Sequence, residues 1–240
     1  MSAAYRRLLI LFIFLFFTGS FCMAQKYTLS LEEQLESEFY EMQISDELFD
    51  RMKGKSFKEN CTVPREDLRC LHLLHWNFAG EVCEGELVCN KKIAQKLIHI
   101  FKELYKAGYQ IEKIRLVDEY DADDERSMAD NNSSCFNFRF ISHTTTVSKH
   151  GAGLAVDINP LYNPYVKTVN GRQNIEPANS AEYVDRKKDF EHKITHDDLC
   201  YKLFTQAGFE WGGDWTSCKD WQHFEYLESN ASLSKLSLLW

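Results

Sequence analysis

The chain has 240 residues, with 28 Lys and Arg against 36 Asp and Glu and a formal net charge of -8. That balance argues against nucleic acid as a partner, because binding it needs a basic footprint. The length suits one large domain, or one domain with an appendage.

The N-terminus opens with Arg6 and Arg7, then ten unbroken apolar residues from Leu8 to Phe17, then Thr18-Gly19-Ser20. A basic start, a short apolar run and a small-residue tail describe a secretory signal peptide over residues 1–24, cleaved after Ala24. Ten apolar residues are too few for a spanning helix, which needs about 20, and no second run of that length follows. Bulky Phe21 directly before Cys22 argues against lipid attachment there. Cleavage removes two positive charges and no negative one, taking the net charge from -8 to -10. Of eight cysteines, seven survive: Cys61, Cys70, Cys83, Cys89, Cys135, Cys200 and Cys218. Export permits disulfides, at most two or three are expected, and the odd count leaves at least one thiol unpaired. The Cys83–Cys89 spacing is a candidate for closing a small hairpin, with connectivity left open.

Residues 25–65 read as an N-terminal helical extension. Ser30 with Glu33 forms a capping-box start, a second short helix covers Asp46 to Lys53, and Pro64 marks a boundary. The main domain, 66–240, begins with a strand from Leu68 to Trp76. A turn at Phe78-Ala79-Gly80 and a short strand from Glu86 to Val88 follow. Asn90 caps an amphipathic helix carrying Ile93, Leu97, Ile98, Phe101, Leu104 and Tyr105, which ends at Gly108. Ile111 to Val117 alternates like a strand, and Asp118 to Asn132 is an acidic loop. Residues 165–194 read as a long irregular excursion suited to a lid. His196 to Ala207 is a helix ended by Gly208, and a closing strand runs near His223. Helices and short strands without regular alternation indicate an α+β domain, a small antiparallel sheet flanked by helices.

The chemistry concentrates in two stretches. Ser148 to Asp157 reads Ser-Lys-His-Gly-Ala-Gly-Leu-Ala-Val-Asp, and Asp220 to Glu225 reads Asp-Trp-Gln-His-Phe-Glu. They supply His150, Asp157 and His223, with a spare acid at Asp220. Three protein ligands, an open fourth position for water and a nearby base are what a catalytic zinc ion requires. Gly151 and Gly153 give an open turn after His150, and Asp157 lies on a strand among Leu154, Val156 and Ile158, where an unpaired carboxylate is costly. Asp220 can reach the same water only if the chain bends before His223. Glu225 shares a strand face with His223 and is a candidate partner for the far nitrogen of that imidazole, an exposed acid being the plainer alternative. His192 and His196 have the i, i+4 spacing of a helical zinc pair, but Lys193 between them disfavours a dication. His72 and His75 fall on opposite strand faces and read as structural.

The pattern Ser-x-His-x-x-Gly-x-Ala-x-Asp followed by Asp-x-x-His resembles the zinc D-alanyl-D-alanine carboxypeptidase and L-alanyl-D-glutamate endopeptidase family of bacterial cell-wall peptidases. The resemblance covers residues 135–225 closely, is looser from Leu68 and is absent before Pro64. It implies Zn2+ on His150, Asp157 and His223, Asp220 as general base, Arg139 on a substrate carboxylate or developing oxyanion, and Ser148 as a substrate contact. It further implies the small α+β domain shared with the hedgehog signalling domain, peptidoglycan stem peptides as substrate and a bacterial source; with the signal peptide, the expectation is a monomer in the periplasm or outside the cell. Carboxypeptidase and endopeptidase both remain open, and a non-catalytic zinc-containing binding module on the same scaffold is the alternative. The acidic 118–134 segment and the extra cysteines depart from the family pattern.

Overall fold

The computed structural model describes residue 35 and residues 37–141 and 144–227. The expected signal peptide, its cleavage point, Cys22 and the Ser30/Glu33 capping box lie outside the described residues. Among the described residues no helix is long and apolar enough to cross a membrane.

Residues 38–227 form an α+β unit whose strands divide among several small sheets rather than one. The first sheet, β1-β2-β3, is antiparallel: β1 is Tyr40–Gln43, β2 Leu68–Trp76 and β3 Val82–Asn90. Both faces of β2 are covered. On one side Leu68, Cys70 and Val88 join Leu48 and Met52 of helix α1 (Asp46–Met52), together with Phe136 and Phe138. On the other, Leu71, Leu73 and Leu87 are buried where helix α2 (Ala94–Lys106) packs, presenting Leu97, Ile100, Phe101 and Leu104. Each apolar face removes side chains worth roughly 1.5–3 kcal/mol apiece from water.

Three expectations change here. The 25–65 stretch is not helical throughout, because Tyr40–Gln43 pairs with Cys70–His72 and Arg69 as an edge strand, while α1 contributes to the same core. The second strand runs through Gly85, where the missing side chain admits Ile114: a Cβ there would stand 2.7 Å from the Ile114 Cβ. Asn90 closes that strand and its Oδ1 accepts from the Lys92 amide, so α2 starts later, at Ala94.

Strand β4 (Lys113–Ile114) is shorter than the expected strand and pairs in parallel with β5 (Asn132–Ser133). Between them the acidic segment is folded: Val117–Tyr120 is a 3-10 turn, and helix α3, Asp124–Ala129, is capped by the Asp123 side chain. A second antiparallel sheet, β6-β11-β9, is built from Ala155–Asp157, His223–Tyr226 and Phe209–Trp211. Helix α4, Leu199–Gln206, capped by Asp198, lays Phe204 against Phe224 with ring centroids 4.4 Å apart.

The 165–194 excursion is also ordered. Tyr165–Val169 (β7) and Arg172–Glu176 (β8) make a two-residue hairpin, joined on its other side by β10, Lys219–Asp220. Asn170 and Gly171 turn it with φ of 51° and 76°, the paired positive values a twisted two-residue turn requires.

The seven described cysteines are free thiols, within the ceiling of two or three bridges that the sequence allows. Cys83 and Cys89 lie on one strand, six residues and so about 20 Å apart along it, far beyond disulfide reach. Burial pushes the Cys70 thiol up to about 12, which leaves it protonated and unreactive.

Candidate metal centre

The loop carrying His150 is fixed on three sides. Ser148 Oγ accepts from the Gly151 amide at 2.9 Å, and the amides of Ala152 and Leu154 bond back to the Ser148 and Lys149 carbonyls. The Asn90 amide donates to the Gly153 carbonyl at 2.8 Å, and Asn90 Nδ2 donates to the Ala152 carbonyl. Gly153 has φ +68°, and a Cβ there would stand 2.8 Å from the Asn90 nitrogen. Glycine is required at that approach. The end of β3 thereby fastens the His150 loop to the first sheet.

Strand pairing supplies the other two side chains. In the β6–β11 register His223 lies opposite Asp157, and directly opposed residues project from the same face. His150, Asp157 and His223 are all buried, 5 %, 9 % and 6 % exposed. His150 Nε2 is 3.0 Å from His223 Nδ1 and 3.2 Å from Asp157 Oδ1, and His223 Nδ1 is 3.1 Å from the same oxygen. Donors around a tetrahedral ion bonded at about 2.0–2.2 Å stand roughly 3.3–3.6 Å apart. The triangle needs to open by only a few tenths of an ångström to hold one.

The outer nitrogens give the stronger test. His150 Nδ1 sits 2.7 Å from the Cys135 carbonyl, which can only accept, so the proton belongs on Nδ1 and the Nε2 lone pair faces inward. His223 Nε2 faces the Glu225 carboxylate at 3.3 Å. Two imidazole nitrogens and a carboxylate oxygen then converge as acceptors, an arrangement that calls for a cation. Without one, a proton takes that place. Burial opposes it, yet hydrogen bonds to Asp157 and Glu225 push His223 up to about 10. Burial likewise opposes ionisation of Asp157, but the two imidazoles hold its carboxyl far below the usual range. These three residues form the metal-capable group of His, Cys, Asp and Glu found among the described residues.

Asp220 reaches the neighbourhood from the other sheet. It ends β10, opposite Tyr165, and a bend at residues 221–222 carries the chain into β11. Its Oδ1 is buried and makes no hydrogen bond. Burial, opposed by His223 and reinforced by Asp157, pushes its carboxyl up to about 7. Gly212 makes room for it: a Cβ there would lie 2.6 Å from the Asp220 carbonyl oxygen and 2.8 Å from its Cβ.

Arg139 lies against the same loop by its backbone, its carbonyl accepting from the Ser148 amide. Its guanidinium, however, pairs with Asp124 of α3 at 3.1 Å, and Asn137 Nδ2 binds the other Asp124 oxygen at 2.7 Å. Ser148 shapes the turn with its hydroxyl. His192 and His196 do not form a pair: the first stacks on Phe78 with centroids 3.5 Å apart, and the second binds Asp214 at 2.7 Å. His72 stacks on Tyr40, and His75 is buried against the Ile111 carbonyl. Sequence reasoning missed the Cys135 carbonyl, which carries no side-chain signal, and Asp124, hidden in a run of acids.

Residues 142–226 match the family model described as D-alanyl-D-alanine carboxypeptidase. No curated protein and no solved structure matches the chain.

Proposed function

We propose, on the match of residues 142–226 to the D-alanyl-D-alanine carboxypeptidase family model and on the geometry of the site, that the protein is an exported zinc peptidase cleaving the stem peptides of peptidoglycan. The convergence of His150 Nε2, Asp157 Oδ1 and His223 Nδ1 within 3.0–3.2 Å of one another carries this reading. Two imidazoles and one carboxylate suit zinc and leave a fourth position open. On this reading the domain belongs to the hedgehog and D,D-peptidase-like group and acts as a monomer in the bacterial periplasm or outside the cell.

A zinc ion bound there would act as a Lewis acid on the scissile carbonyl and lower the pKa of a water from 15.7 to about 7. The protein's own groups do the rest. Asp220, with a buried oxygen that no hydrogen bond occupies, takes the proton of the attacking water and delivers it to the leaving amine. Arg139, whose guanidinium pairs with Asp124 at 3.1 Å, grips a substrate carboxylate or the developing oxyanion. Ser148 keeps its hydroxyl proton available to a substrate carbonyl while its oxygen holds the turn.

The test is metal content of the purified protein together with mass spectrometry of digested peptidoglycan, for wild type and Asp220→Ala. The expected result is one zinc in both proteins and new stem-peptide products from wild type alone, with product masses fixing the bond cut. Zinc without products from wild type would replace the peptidase with a binding module. Absence of zinc would remove the metal site.

A further inference from the structure

The two imidazoles of the triangle are held differently. His150 turns its outer nitrogen to a neutral main-chain carbonyl, whereas His223 turns its outer nitrogen to a carboxylate, Glu225 Oε2 at 3.3 Å. The two residues are i and i+2 on β11 and project from one face.

As a sheet residue Glu225 is poorly placed. Its cross-strand neighbour on β9 is Glu210, and like charges directly opposite one another destabilise a sheet. Glu210 is drawn aside, because its Oε1 accepts from Trp215 Nε1 at 2.8 Å. Trp215 in turn packs against the His223 ring, centroids 5.2 Å apart. The nearby cation Lys149 is directed to the Tyr226 carbonyl at 2.9 Å. Both acids of this strand pair therefore serve His223: Glu225 faces its outer nitrogen, and Glu210 steadies the indole against its ring.

We infer that Glu225 is a positioning residue for the metal site: it holds the His223 proton on Nε2, so that Nδ1 is the nitrogen presented to the metal, and makes His223 the stronger donor of the two imidazoles. The inference rests on the metal site proposed above and not on the peptidase assignment. Residues that orient a ligating histidine typically change metal affinity about 10–100-fold when lost. Glutamine keeps an acceptor for the Nε2 proton without the charge and separates orientation from charge.

The test is zinc affinity of the full chain, measured by competition with a chromogenic chelator, for wild type, Glu225→Gln and Glu225→Ala. Histidine side-chain 15N spectra of the zinc-loaded proteins accompany it. Expected are a roughly 10–100-fold loss of affinity in Glu225→Ala, a smaller loss in Glu225→Gln, and a His223 signal protonated at Nε2 in wild type. Affinity within twofold of wild type in both variants would overturn the inference. So would a wild-type His223 bound through Nε2. If Glu225→Ala does not fold, Glu225→Gln and the wild-type spectrum decide alone. Tight zinc binding without peptide products would overturn the peptidase and leave this inference standing, while no zinc binding in wild type would overturn both.

Discussion

At the scale of single residues, Asp220 owes its place to an absence. Gly212 carries no side chain where a methyl would meet the Asp220 main chain at 2.6 Å. Gly212→Ala should move the carboxylate without touching the triangle. Misplacement of a catalytic group by about 1 Å can cost on the order of 100-fold in rate. The expectation is a comparable fall in kcat with zinc affinity held at the wild-type value, and chelator competition beside peptide-release kinetics would show it. Equal losses in both would mean that the glycine supports the whole β9–β11 region. The residues of this site were legible wherever chemistry resides in side chains. His150, Asp157 and His223 stand out by type and spacing, and the structure brings them together. The Cys135 carbonyl could not be found that way, because any residue offers the same oxygen. The engagement of Arg139 by Asp124 was equally hidden, since it depends on the acidic segment being a helix.

At the scale of elements, periodic segments were the readable ones. The apolar spacing of α2 marks its length, and the long strand β2 has the bounds the sequence suggests. Strands of two or three residues, such as β4, β5 and β9, are too short to show a period and exist only through their partners. The β7–β8 hairpin did carry a signal, Asn170-Gly171 between two five-residue runs, but Lys, Arg and Gln in those runs obscured the alternation. Ser148 shows how an element can claim a residue that motif reasoning gives to substrate. Its Oγ accepts from the Gly151 amide, so Ser148→Ala should destabilise the protein by about 1 kcal/mol, the usual net cost of a lost hydrogen bond, and loosen the His150 loop. Thermal melts with zinc titration check this. An unchanged melt with a raised KM would return the residue to substrate contact alone.

At the scale of the molecule, buried imidazoles tie stability to pH. Burial lowers the His75 imidazole below its ordinary value against the raising influence of the Ile111 carbonyl, and burial lowers His192 as well. Between the depressed folded value and the ordinary one of about 6.5, the unfolded chain binds more protons than the folded one. The stability from keeping these groups neutral is therefore complete above about pH 6.5 and is lost as pH falls through that value. His75→Gln offers the Ile111 carbonyl an amide donor that does not titrate. Denaturant unfolding at pH 7.5 and pH 5.5 should show a smaller acid-induced loss in the variant than in wild type. An identical loss would assign the dependence to other groups.

The triangle joins residues far apart along the chain: His150 and His223 are separated by 73 positions, Asp157 and His223 by 66. Closing a loop of that size in an unfolded chain is entropically uphill, so an ion has little to hold before β6 and β11 have paired. A zinc finger gathers its metal locally and folds around it. If the triangle holds a metal as proposed, this chain finishes most of its folding first and admits the ion afterwards, as a late guest. Refolding rates should be the same with zinc or with chelator present, while the rate of unfolding should fall when zinc is added.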